Sequence, residues 1–126
     1  MSQLDLVIFD CDGVLVDSEI VAARVEAEML REAGYDISAE ELAERYSGLT
    51  FKDIMMHIEK EAQMLFQASL IEHAEARVDE RLRAEVKAIP GVAEAISSLS
   101  VKRCICSNSR EERIEAMLRR TNLARF

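Results

Sequence analysis

Apolar residues follow two rhythms along the chain. Near the start, "LDLVIF" (residues 4–9), with Val7, Ile8 and Phe9, forms a short apolar run bounded by Asp10 and Gly13, a pattern that predicts a strand buried on both faces. From Ser18 the rhythm lengthens. Val21, Val25 and Met29 stand four apart with Leu30 beside them, which predicts a helix closed by Gly34. Ser38 precedes Glu41 by three positions and Thr50 precedes Asp53 by three, a capping box and its Asp variant, so each hydroxyl should open a helix. Gly48 marks the loop between them. Phe66, Leu70, Ala74, Val78, Leu82 and Val86 then recur every four residues on one face of a long helix that stops before Pro90-Gly91. Residues 17 to 88 therefore read as wholly helical.

Beyond that punctuation, "GVAEAISSL" reads as a short helix and "VKRCICS" as a second strand. Ser109 and Glu112 form another capping box, opening a helix with Ile114, Met117 and Leu118 on one face. With the helical stretch set aside, strand, helix, strand, helix remain, the opening of an α/β fold with a parallel sheet and right-handed crossovers. The expected organisation is a core in residues 1–16, a helical insertion over 17–88, and the core resumed over 89–126.

Composition adds limits. The 126 residues are 49% hydrophobic and 32% charged, ordinary for a soluble domain able to bury a modest core. Acidic residues outnumber basic ones 24 to 16, a formal charge of −8, so the overall field repels nucleic acid and anionic membrane surfaces. Any anionic substrate needs local help from a metal, helix N-termini or a few cations. Cys11, Cys104 and Cys106 form neither a CxxC pair nor a metal-binding array. That fits a reducing compartment, with the cytoplasm as the default. No stretch resembles a signal peptide or is apolar over the length of a membrane span.

The chemistry gathers where the predicted strands end. In open parallel sheets ligands bind beyond the carboxyl ends of the strands, here "FDCDG" and "CSNS". If the two strands are neighbours, Asp10, Asp12, Ser107 and Asn108 share one crevice. Asp10 and Asp12 stand two apart and would point the same way, with Gly13 allowing a turn. Such a pair suits an ionised nucleophile or metal ligand beside a proton donor. Two oxygen ligands match magnesium better than zinc. Ser107, with the N–H groups leading into the helix at Ser109, offers an anion cradle opposite. The residues thus read as a phosphate site with a carboxylate nucleophile. His57 and His73 sit on helical stretches with no partner pattern and read as structural or surface residues, and the methionines as packing.

On "FDCDGVLVDSE" and "CICSNS" the chain resembles the haloacid dehalogenase superfamily over its whole length. The nearest branch is that of sugar-phosphate phosphatases and phosphomutases, in particular the 6-phosphogluconate phosphatase type. The resemblance implies a Rossmann-like core with an inserted all-helical cap. It also implies a magnesium-dependent hydrolase of small phosphorylated metabolites, sugar or sugar-acid phosphates, working through an aspartyl phosphate. By position, Asp10 would attack the phosphoryl group and ligate magnesium. Asp12 would protonate the leaving oxygen, activate the hydrolytic water, and lend its backbone carbonyl to magnesium. Ser107 would bind the phosphoryl oxygens with the backbone at Asn108. Asp17 would serve structure at the start of the cap, and Lys52, in the cap loop "YSGLTFKD", would reach an anionic substrate group.

Two departures qualify that expectation. The mutase type carries a histidine early in the first cap helix and an arginine in the cap loop, whereas "SEIVAARVEAEM" has no histidine and Phe51 takes the arginine's place. A phosphatase is therefore expected over a mutase. The family's third motif, a lysine, and its fourth, an acidic pair, do not occur before Phe126, so the residues are expected to be the N-terminal part of a longer enzyme. Two alternatives stand beside this reading: a non-catalytic binding protein on a shortened scaffold, and a phosphonate-cleaving enzyme using a cap lysine.

Overall fold

The computed structural model describes residues 3–126. Two strands and six helices follow in the order β1 (Leu6–Phe9), α1 (Ser18–Glu32), α2 (Ala39–Arg45), α3 (Phe51–Ala62), α4 (Leu70–Glu85), α5 (Val92–Ser97), β2 (Lys102–Ile105) and α6 (Glu111–Arg120). They fall into two compact units. One comprises the chain up to Glu19 together with Leu82–Phe126, and the other is Ile20–Arg81.

In the first unit β1 and β2 are parallel neighbours, Val7 opposite Arg103 and Phe9 opposite Ile105. The Cys106 N–H extends the ladder by donating to the Phe9 carbonyl at 2.9 Å. The chain then leaves β1 through a tight turn. The Cys11 carbonyl accepts from the N–H groups of Val14, Leu15 and Val16, and Gly13 donates to the Val16 carbonyl at 2.9 Å. Gly13 sits at φ +77°, a region that side-chain-bearing residues rarely adopt, and a Cβ there would lie 2.9 Å from Glu19 Oε1. A short antiparallel contact fixes where α1 starts: Asp17 N–H donates to the Lys87 carbonyl at 2.8 Å, and Ile89 N–H to the Leu15 carbonyl at 3.0 Å.

One expectation fails here. The first strand is not buried on both faces, because Leu6 is 46% and Ile8 61% exposed. Side chains alternate along a strand, so Leu6 and Ile8 share a face with Lys102 and Cys104 across the ladder, while Val7, Phe9, Arg103 and Ile105 lie on the other, half-buried face. Among the described residues the sheet has two strands, and only one of its faces is covered. On the covered side an apolar cavity of about 230 Å³ runs between Phe9, Ile105, Ile96, Leu118 and Leu123.

The second unit is all helical. Ala23, Leu30, Ile37, Leu42, Tyr46, Ile54, Met55 and Ile58 form one buried cluster. Both capping boxes within it are realised: Ser38 Oγ accepts from Glu41 N–H at 3.0 Å, and Thr50 Oγ1 from Asp53 N–H at 3.2 Å. After α1, Tyr35 N–H reaches the Leu30 carbonyl at 2.8 Å and Gly34 N–H the Arg31 carbonyl at 3.0 Å, a Schellman closure with Gly34 at φ +101°. The fourfold repeat is buried throughout from Ala74 to Val86, but α4 begins at Leu70 rather than at Phe66. The reason is local. α3 ends at Gln63 in the left-handed conformation, and Phe66 N–H turns to the Glu59 carboxylate at 3.3 Å.

Candidate active site

The carboxyl ends of β1 and β2 bring four of the expected residues onto adjacent strand ends. Asp10 directly follows β1 and is exposed, with Oδ1 accepting the Cys11 N–H at 2.8 Å. That bond ties one carboxylate oxygen to the backbone of its own loop. Asp12 lies deeper and half-buried, and its two oxygens are held from different parts of the chain. Oδ1 accepts the Ser18 hydroxyl at 2.6 Å, and Oδ2 accepts the Ser109 hydroxyl at 2.5 Å. Ser107, two residues past β2, approaches the same Oδ2 at 3.4 Å, beyond the usual range for a hydroxyl donor. Ser107 Oγ in turn accepts the Ser109 N–H at 3.1 Å. Asn108 stands exposed at the bend between the two serines.

Ser109 corrects the third capping box. α6 starts at Glu111 and its N-cap is Arg110, without a side-chain capping bond. A hydroxyl facing a carboxylate makes a charge-assisted bond roughly twice as strong as one to a neutral partner, so Asp12 takes Ser109 from the helix. Ser18, which reads in sequence as a helix cap or hinge, is also drawn to Asp12. It is the first residue of α1 and only 3% exposed, a buried polar side chain whose partner lies six residues earlier. The signal available in sequence was a serine at each point where the chain leaves a strand-end loop.

Cys11 sits between the two aspartates and is fully buried. Burial first, then the negative charges of Asp12 and Asp10, push its thiol up from 9.0 to about 11. It stays protonated, and so weakly nucleophilic, at neutral pH. Lys52 belongs to the helical unit, exposed in the first turn of α3 just after the Thr50 cap. His57 and His73 are exposed on α3 and α4, and the His57 ring lies 6.1 Å from that of Tyr46.

Among the described residues no three His, Cys, Asp or Glu side chains cluster as a metal site. The donors at the β1 end are nevertheless hard oxygens, the Asp10 carboxylate and the Asp12 backbone carbonyl. Magnesium is commonly held by one or two carboxylates with water and substrate phosphate oxygens making up the rest, so this donor set fits it. No helix among the described residues is long and apolar enough to cross a membrane.

A parallel sheet with an Asp-x-Asp turn at one strand end and serines at the next is an α/β core with carboxylates and hydroxyls gathered at its strand ends. The haloacid dehalogenase-like hydrolase family matches residues 7–126, and the chain belongs to it. It is similar to a crystallised conserved haloacid dehalogenase-like protein of unknown function from Agrobacterium tumefaciens: 52% identity, TM-score 0.89, covering 96% of this chain and 55% of that one. A family hydrolase from Deinococcus radiodurans, crystallised with bound phosphate and sodium, is 30% identical with TM-score 0.78, over 97% of this chain and 54% of that one. The 6-phosphogluconate phosphatase of Escherichia coli is 28% identical over 127 residues, the whole of this chain and 58% of that protein. The chain thus spans little more than half the length of these relatives.

Proposed function

We propose that this chain carries the nucleophile and the acid–base group of a phosphatase acting on small phosphorylated metabolites, sugar or sugar-acid phosphates. The observation that carries the reading is the pairing at the β1 end: an exposed Asp10 beside an Asp12 held on both oxygens by hydroxyls. Asp10 attacks phosphorus and forms an aspartyl phosphate. Asp12 gives its proton to the departing ester oxygen, then takes one from the water that releases phosphate. Two such displacements replace one difficult hydrolysis. Ser107 and the backbone at Asn108 receive the phosphoryl oxygens, and Lys52 serves an anionic group of the substrate. The Asp10 carboxylate and the Asp12 carbonyl would hold magnesium, which when bound offsets negative charge on the phosphoryl group. Two resemblances support this reading, the phosphate-bound relative and the similarity to 6-phosphogluconate phosphatase. Helices in Ile20–Arg81 act as a substrate-selecting cap, and the working place is a reducing compartment such as the cytoplasm.

Asp10→Asn in the full-length protein tests it. Phosphate release from a panel of sugar and sugar-acid phosphates should fall by about three orders of magnitude or more, because the amide cannot attack. Circular dichroism should stay unchanged. Undiminished release rejects Asp10 as the nucleophile. Release by neither variant nor wild type turns the reading towards a binding protein.

A further inference from the structure

The hydroxyl groups around Asp12 are not equivalent. Ser18 and Ser109 lie at 2.6 and 2.5 Å from different oxygens of the carboxylate, whereas Ser107 lies at 3.4 Å from an oxygen that already has a closer donor. A hydroxyl has one proton to give. Ser109 directs its proton to Asp12 and has none left for an anion. Ser107 holds its own loosely, and its oxygen is steadied by the Ser109 N–H at 3.1 Å.

A carboxylate held at one oxygen still swings about that bond. Held at both, it has a fixed plane. The two holds also come from well-anchored backbone: Ser18 begins the 15-residue α1 and is buried, and Ser109 follows β2 directly before the N-cap of α6. Hydroxyls suit an acid–base partner for a further reason. Each can donate to the carboxylate or, after turning, accept from the protonated acid, so the same contacts serve both states without moving a heavy atom.

We propose that Ser109, together with Ser18, is a positioning residue for Asp12: the pair fixes the carboxylate while Ser107 leaves it to bind the phosphoryl group. The inference rests on the phosphatase reading for its consequence, though not for its geometry. Arrival of phosphate swaps only the longest of the three contacts, and Asp12 keeps its aim during the exchange.

The test uses the full-length protein, with p-nitrophenyl phosphate and sugar phosphates as substrates and inorganic phosphate as the ligand. Ser109→Ala should lower kcat by about 10- to 100-fold, the scale of a misplaced catalytic group, and leave KM and the phosphate Kd within about twofold. Ser107→Ala should do the reverse for phosphate, weakening its binding. Ser109→Thr, which keeps the hydroxyl, should recover most of the lost kcat. A Ser109→Ala protein with kcat within about twofold of wild type, or with phosphate binding as weak as in Ser107→Ala, overturns the proposal. Crystal structures supply a readout independent of turnover: Asp12 in one rotamer in wild type and spread over several in Ser109→Ala supports it, and a single unchanged rotamer in both overturns it. If wild type hydrolyses nothing offered, the phosphatase reading falls, and the Asp12 rotamers still decide the positioning role.

Discussion

The helical unit holds itself together with an apolar cluster running through α1, α2 and α3, and with ion pairs on its surface such as Arg81–Glu28 and Arg77–Glu32. The core unit has a two-stranded sheet with one uncovered face, a cavity on the other, and its tightest side-chain bonds converge on a single carboxylate. Packing is concentrated in the unit without the Asp-x-Asp pair, and polar order in the unit that has it. The contrast teaches that apolar packing orders one stretch of this chain and polar bonds around Asp12 mark the other, so substitutions should separate the two. Equal truncations give the sharpest test. Ile58 on α3 is fully buried, and Ile58→Ala should cost about 2–5 kcal/mol through lost transfer energy and a cavity. Ile8 on β1 is 61% exposed, and Ile8→Ala should stay within about 0.5 kcal/mol. Urea unfolding of the 126-residue chain reads both, and a larger loss at Ile8 would break the comparison.

Glycines extend the contrast to the backbone. Gly13 in the core unit and Gly34 in the helical unit both sit at positive φ, and alanine there costs roughly 1–2 kcal/mol of left-handed strain at either site. At Gly34 a Cβ meets nothing within 4 Å. At Gly13 it meets the Glu19 carboxylate as well, so Gly13→Ala should be the worse of the two in the same unfolding assay. Glu19 is the end of a flexible side chain, and the excess should vanish in a Gly13→Ala, Glu19→Ala double variant. An excess that persists would place the crowding in the turn itself.

What the sequence disclosed followed the same division. Local patterns were readable: the caps at Ser38 and Thr50 and the fourfold stripe from Ala74 to Val86. These depend on periodicity or on spacing of three and four residues. Ser109 was misread because its competing partner lies 97 residues away, and no local pattern encodes a carboxylate that outbids a helix terminus. Leu6 and Ile8 were misread because an apolar run predicts burial without saying how many neighbours the sheet supplies. The α3–α4 junction failed at Gln63, where a left-handed residue ended the helix without a glycine to announce it.

The smallest expected effect separates useful ion pairs from decorative ones inside the helical unit. Arg81 binds Glu28 through both guanidinium nitrogens, at 2.8 and 3.0 Å. The hydrogen bond to Arg81 holds the Glu28 carboxyl below its usual 4.5, joined by the charges of Arg81, Arg77 and Arg31 and opposed by partial burial. Because the folded value is depressed, the stabilisation is fully present above the unfolded value of 4.5 and is lost as pH falls through the folded one. Glu28 remains 41% exposed on its side chain, so solvent and salt screen the pair. Glu28→Gln should therefore cost no more than about 1 kcal/mol at neutral pH. Its unfolding curve should converge on that of wild type in acid and in high salt. Asp36→Asn is the control: its pair with Arg31 is a single contact of 3.3 Å between side chains 64% and 89% exposed, and the change should leave stability where it was. A loss at Glu28 that persists in acid and in high salt would mean that the amide disturbs the pairing with Arg81 beyond the loss of the carboxylate's charge.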